Sequence, residues 1–155
     1  NYTQRYADNW HCDLMDAMTN FGACKNSKLD LIASSIGLPG KIGIDGSDVA
    51  DLYSAGEIDK IADYCELDVM NTYGVYLRWM LTTAKISLDI YRKSVENFLS
   101  YIIKHSEDSS HFSDFLHHTD INEFSLINDS NIIAINGSEK STSLLEKRDK
   151  NQEAC

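Results

Sequence analysis

The chain has 155 residues, 43% of them hydrophobic, which suffices for one modest core plus appendages and argues against two domains. Its net charge of -10 excludes the broad cationic grip of a nonspecific nucleic-acid binder, but not a carboxylate site that draws positive charge from bound metal ions. The four cysteines, Cys12, Cys24, Cys65 and Cys155, show no C-x-x-C spacing, so reduced thiols in a cytoplasmic protein are expected rather than a structural zinc site.

No leader precedes Tyr2, and Asn1 reads as a cut end. The string Trp10-His11-Cys12-Asp13-Leu14-Met15 has the aromatic and apolar content of a short edge strand entering a turn or helix. Leu29, Ile32, Ala33 and Ile36 follow helical spacing, and Gly37 with Pro39 supplies a stop, so a helix is predicted over residues 28–36. A glycine-rich connector follows, after which Asp45 or Ser47 caps a short helix reaching Tyr53 and ended by Gly56. From Glu57 to about Thr83 the residues Ile58, Ile61, Ala62, Cys65, Val69, Tyr73, Tyr76 and Leu77 hold a helical stripe. The longest apolar-leaning run there, residues 74–81, is interrupted by Arg78 and is far shorter than the roughly 20 residues of a membrane span. Ser87 caps a second helix over residues 88–105, with Ile90, Tyr91, Val95, Phe98, Leu99, Ile102 and Ile103 on one side, and the two helices should pack as a pair. Residues 111–118 add a turn or two. Residues 121–155 read as a polar tail, with Leu126-Ile127 and residues 132–135 its apolar exceptions.

Residues four apart on a helix share a face, so Tyr64 and Asp68 can address one small site. A carboxylate is the ligand that Mg²⁺ or Mn²⁺ prefers, and a phenol beside it can orient a water aimed at phosphorus. With eight tyrosines in the chain, such a pair also arises by chance, and an ordinary half-exposed helix face is the plain alternative. Two other clusters have bland readings: His111, Asp114, His117 and His118 as a solvated surface, and Tyr73, Tyr76, Trp79 and Tyr91 as core packing before base stacking. Asp59 and Asp63 suit a helix N-terminus, and Lys41 near a glycine-rich turn reads as soluble surface before a contact to a substrate phosphate.

The longer string Tyr64-Cys65-Glu66-Leu67-Asp68-Val69-Met70-Asn71-Thr72-Tyr73, with Val75-Tyr76-Leu77-Arg78, resembles the last motif of the predicted PolB-like 3′→5′ exonucleases of the DnaQ-like, RNase H-like class. Trp10 to Asp16, residues 29–36, Gly37-Leu38-Pro39-Gly40-Lys41 and Gly43-Ile44-Asp45-Gly46 are similar to that family's segments in the same order, over residues 1–105. The resemblance implies an α/β fold, of which this chain is the C-terminal, mostly helical portion with at most one edge strand. Residues 106–120 would be a short helical extension. It also implies two Mg²⁺ or Mn²⁺ ions, a nucleic acid with a free 3′ end as substrate, Asp68 as a metal ligand and Tyr64 as the residue orienting water, and it puts Asp13 and Asp16, otherwise candidates for substitute ligands, on a segment that shapes the sheet edge. No Asp-x-Glu strand and no Asn with Phe-Asp element precedes Trp10, so the chain alone is expected to be inactive. The rival expectation is a noncatalytic helical interaction module or an inactive remnant of a nuclease.

Overall fold

The computed structural model describes residues 12–127. Its helices are α1 (Leu14–Met18), α2 (Leu29–Ser35), α3 (Val49–Ser54), α4 (Ile58–Thr82), α5 (Leu88–His105), α6 (Ser110–His118) and α7 (Ile121–Ser125), with a 3-10 turn at Gly46–Asp48 leading into α3. The described part is mostly helical and contains no strand, so the edge strand expected at residues 10–15 is corrected from Leu14 onward. The cause is local: the Asp13 carboxylate accepts the Asp16 N–H at 3.0 Å, capping a helix and turning the chain away from extended geometry. Among the described residues no helix is long and apolar enough to cross a membrane.

The long helix α4 organises the rest. Its buried residues Leu67, Met70, Asn71, Gly74, Val75 and Leu77 recur at the spacing of one helix face. On that face lie Ala33 of α2 and Leu38, together with the α5 stripe of Tyr91, Val95, Phe98, Leu99 and Ile102. A tight turn joins α4 to α5. Ala84 adopts φ 56, and the Lys85 and Ala84 N–H groups bond the Met80 and Leu81 carbonyls, both at 2.9 Å, which closes the C-terminus of α4 in a motif where glycine is usual. Ser87 then caps α5 by accepting the Ile90 N–H, as its position before the stripe implies.

The ordered chain extends beyond the expected tail boundary. Residues 121–125 form α7 instead of polar coil, with Phe124 fully buried against Phe98 and Tyr91 in edge-to-face contacts at 6.2 and 6.4 Å. Two arginines hold this five-residue helix by its carbonyl end. Arg78 donates to the Glu123 and Phe124 carbonyls at 2.8 and 3.1 Å, and Arg92 donates to the Leu126 carbonyl at 2.7 Å. The Tyr91 hydroxyl also donates to the Phe124 carbonyl and receives the Arg78 Nε–H at 3.0 Å. At the other end, the Asp120 N–H bonds the Gly37 carbonyl at 2.7 Å. Gly37 has φ +86, and a Cβ there would lie 2.8 Å from the Asp120 carbonyl oxygen, so glycine is what admits this close approach. The expected tail segments at residues 132–135 and 138–155 lie outside the described residues.

Candidate active site

Tyr64 and Asp68 project from the half-buried part of α4 into a cleft of about 330 Å³. The start of α2 contributes Lys28, Leu29 and Asp30 to its lining, and residues 40–46 contribute most of the remaining wall. The site therefore depends on how that glycine-rich segment is fixed to α4.

Asn71 does the fixing. One turn beyond Asp68, its side chain accepts the Gly40 N–H at 3.1 Å and donates to the Gly40 carbonyl at 2.8 Å, with a second donation to the Leu67 carbonyl at 3.1 Å. At 1% exposure these bonds are shielded from water, and both polar groups of Gly40 are satisfied by one amide. Gly40 itself has φ +67, and a Cβ would meet the Asp30 carbonyl oxygen and Ser34 Oγ at 2.6 Å, so α2 and α4 clasp its backbone from two sides. Nothing in the sequence marks Asn71 as such a clasp, since an asparagine inside a helix otherwise reads as a weak helix former.

Beyond Gly40 the segment carries Lys41 and Asp45, which form an exposed ion pair. Asp45 also caps the 3-10 turn: its carboxylate accepts the Ser47 N–H at 3.0 Å, while Asp48 accepts the Asp45 N–H at 2.9 Å. Of the two caps the sequence allows, the structure uses Asp45. The Lys41 ammonium and the Ser47 donors hold the Asp45 carboxyl well below its usual range, and the same pairing raises Lys41. Gly46 brings the segment next to the phenol, for a Cβ there would stand 3.4 Å from the Tyr64 hydroxyl.

The Asp68 carboxylate beside the Tyr64 phenol favours its protonated form as a hydrogen-bond acceptor, and this is the main reason its pKa is raised above 10.0. Desolvation and then the negative charges of Asp68 and Asp45 push in the same direction. Tyr64 is thus a protonated donor throughout the neutral range.

The other candidates go elsewhere. His111 lies on α6 with its two ring nitrogens against two α4 carboxylates, Nδ1 at 3.2 Å from Asp63 and Nε2 at 2.7 Å from Glu66. His118 turns its Nδ1 to the Asp114 carbonyl at 2.8 Å, so His111, Asp114 and His118 do not converge. Tyr91 is fully buried and offers no stacking face, whereas Tyr73 keeps 41% exposure with its ring against Phe98 at 5.1 Å. Trp79 carries the Lys85 ammonium 4.2 Å from its ring centroid. Among the described residues no group of three His, Cys, Asp or Glu side chains is placed to hold a metal ion. Asp68 alone offers one carboxylate beside a phenol, which is not a complete divalent-ion site.

Residues 1–119 match the family of predicted 3′–5′ exonucleases related to the exonuclease domain of PolB. The chain belongs to that family. The match takes in all of the cleft and α6, and it exceeds the span over which the sequence resemblance runs. No curated protein and no solved structure matches this PolB-exonuclease relative. Within the family's span, Arg78 faces α7 instead of the cleft, so it is a brace for the bundle and Tyr64 and Asp68 are left as the polar pair on the α4 wall.

Proposed function

We propose that the chain is part of a metal-dependent 3′–5′ exonuclease that shortens DNA, with RNA as the alternative substrate, from a free 3′ end. The observation that carries this reading is the Tyr64–Asp68 pair, one helical turn apart on one wall of a cleft, within a chain that belongs to an exonuclease family. The helices would be the covering layer of an RNase H-like α/β fold, with its sheet supplied from outside residues 12–127. Asp68 would be one oxygen ligand of Mg²⁺ or Mn²⁺, with further acids contributed from outside the described residues. Bound there, the metal would supply the positive charge that phosphodiester hydrolysis requires. The role of Tyr64 follows from its proton: a phenol with a raised pKa does not act as a base at neutral pH, so it orients by donating a hydrogen bond.

The test is 3′-end trimming of a 5′-labelled single-stranded oligonucleotide with Mg²⁺ or Mn²⁺, using the longest polypeptide that the reading frame around this chain encodes. Asp68→Ala should nearly abolish turnover, whereas Tyr64→Phe should lower it by roughly 10- to 10³-fold, the scale of one positioned group. The 155 residues by themselves should be inactive. Equal, undiminished rates in both variants would remove the assignment.

A further inference from the structure

We propose that Lys28 and Lys41 grip backbone phosphates of the substrate strand at the cleft, an assignment that rests on the nuclease reading above. In a chain of net charge -10, a polyanion is repelled by most of the surface and needs cations where it enters. The cleft that holds Tyr64 and Asp68 has two lysines in its lining, one from the start of α2 and one from the segment clasped by Asn71.

Neither ammonium is committed to the fold. Lys28 is the residue preceding α2, its side chain makes no cap bond, and it has no ion-pair partner among the described residues. Lys41 pairs with Asp45, but the two side chains keep 42% and 52% exposure, and exposed pairs of this kind are weak enough for a phosphate oxygen to replace the carboxylate. What is fixed is the backbone beneath Lys41, because Asn71 anchors the adjacent Gly40 through both of its polar groups. The result is an anchored base with a swinging cationic tip, suited to following a flexible single strand. A lysine ammonium meets phosphate as a point charge, so the grip should be indifferent to base sequence.

Fluorescence anisotropy of a short labelled oligothymidylate on the 155-residue chain tests the proposal across a KCl series in EDTA, so that no divalent ion bridges the partners. Lys28→Gln with Lys41→Gln should make the slope of log K against log salt shallower by about 1.4, roughly 0.7 for each single-strand phosphate that is no longer neutralised. Lys93→Gln with Lys104→Gln on α5, outside the cleft, should leave the slope unchanged. An unchanged slope in the cleft pair, or an equal reduction in the α5 pair, overturns the assignment. So does absence of salt-dependent binding by the wild-type chain. The nuclease reading is judged separately by the 3′-end assay, which distinguishes a failed grip from a failed function.

Discussion

Replacing Asn71 with alanine should cost the fold about 2–5 kcal/mol, far more than the loss of one polar side chain from a helix surface. The magnitude follows from what the change strands. The Gly40 N–H and carbonyl, bonded at 3.1 and 2.8 Å in a buried position, both lose their partner at once. Each orphaned buried group costs roughly 1–3 kcal/mol, and water entering the vacated space would recover part of the sum. The Leu67 carbonyl adds little, because it lies within the α4 backbone ladder and Asn71 supplies only its additional donor. Since a domain's total stability is about 5–15 kcal/mol, the loss should be plain in urea denaturation followed by far-ultraviolet circular dichroism, with the midpoint lowered and the slope conserved. Hydrogen exchange adds a local readout, for the Gly40 amide should exchange much faster while the Phe98 and Ile102 amides of α5 slow or speed only with global stability. A loss below about 0.5 kcal/mol, or a Gly40 amide as protected as before, would refute the clasp.

Gly74→Ala sets helix propensity, a gain of roughly 1 kcal/mol, against a Cβ placed 2.4 Å from Leu38 Cδ1 and 3.2 Å from the Phe124 ring. With Leu38 only 3% exposed and Phe124 behind it, overpacking of about 1–3 kcal/mol should win, and a thermal midpoint higher than wild type would contradict this. Ala84→Gly should stabilise by about 0.5–1 kcal/mol in the same denaturation assay, because relief of φ 56 exceeds the added freedom of the unfolded chain. Asp68→Asn should bring Tyr64 ionisation down toward the ordinary phenol range in a spectrophotometric titration, since it removes the largest cause of the raised pKa. By the same linkage, wild-type Tyr64 contributes stability that is present below pH about 10 and lost as pH rises through its folded value, a loss Tyr64→Phe should abolish.

The two long helices were legible because their evidence is periodic. Apolar residues at helical spacing mark both α4 and α5, and Ser87 stands where a cap must stand. The cleft pair was legible for the same reason, as four residues of separation on a helix fix a shared face. What the pattern conceals is anything held by distant partners. Within α7 the neighbours of Phe124 are polar, and the local helix signal is the Asp120 cap, which accepts the Asn122 and Glu123 N–H groups; what holds the helix against the bundle comes from Arg78, Tyr91 and Arg92 far upstream. Asn71 likewise acquires its meaning from Gly40, 31 residues away. At the N-terminal end the error was local: an apolar and aromatic run suggested extension, while the Asp13 carboxylate three residues before Asp16 settled the matter for a helix.

Phe124 separates the limit of a family from the limit of a folding unit. The family match ends at residue 119, yet the ring that closes the bundle between Tyr91 and Phe98 comes five residues later. A protein trimmed to the matched span would keep every cleft residue and still present an aromatic-sized void, two guanidinium groups and a buried tyrosine hydroxyl with their acceptors removed. Deleting a core phenylalanine side chain alone costs about 3–5 kcal/mol, on the scale of a small domain's whole stability. Expression boundaries drawn from sequence similarity would therefore deliver an intact cleft wall on a weakened scaffold, and inactivity of such a protein would report on its missing keystone rather than on the cleft residues.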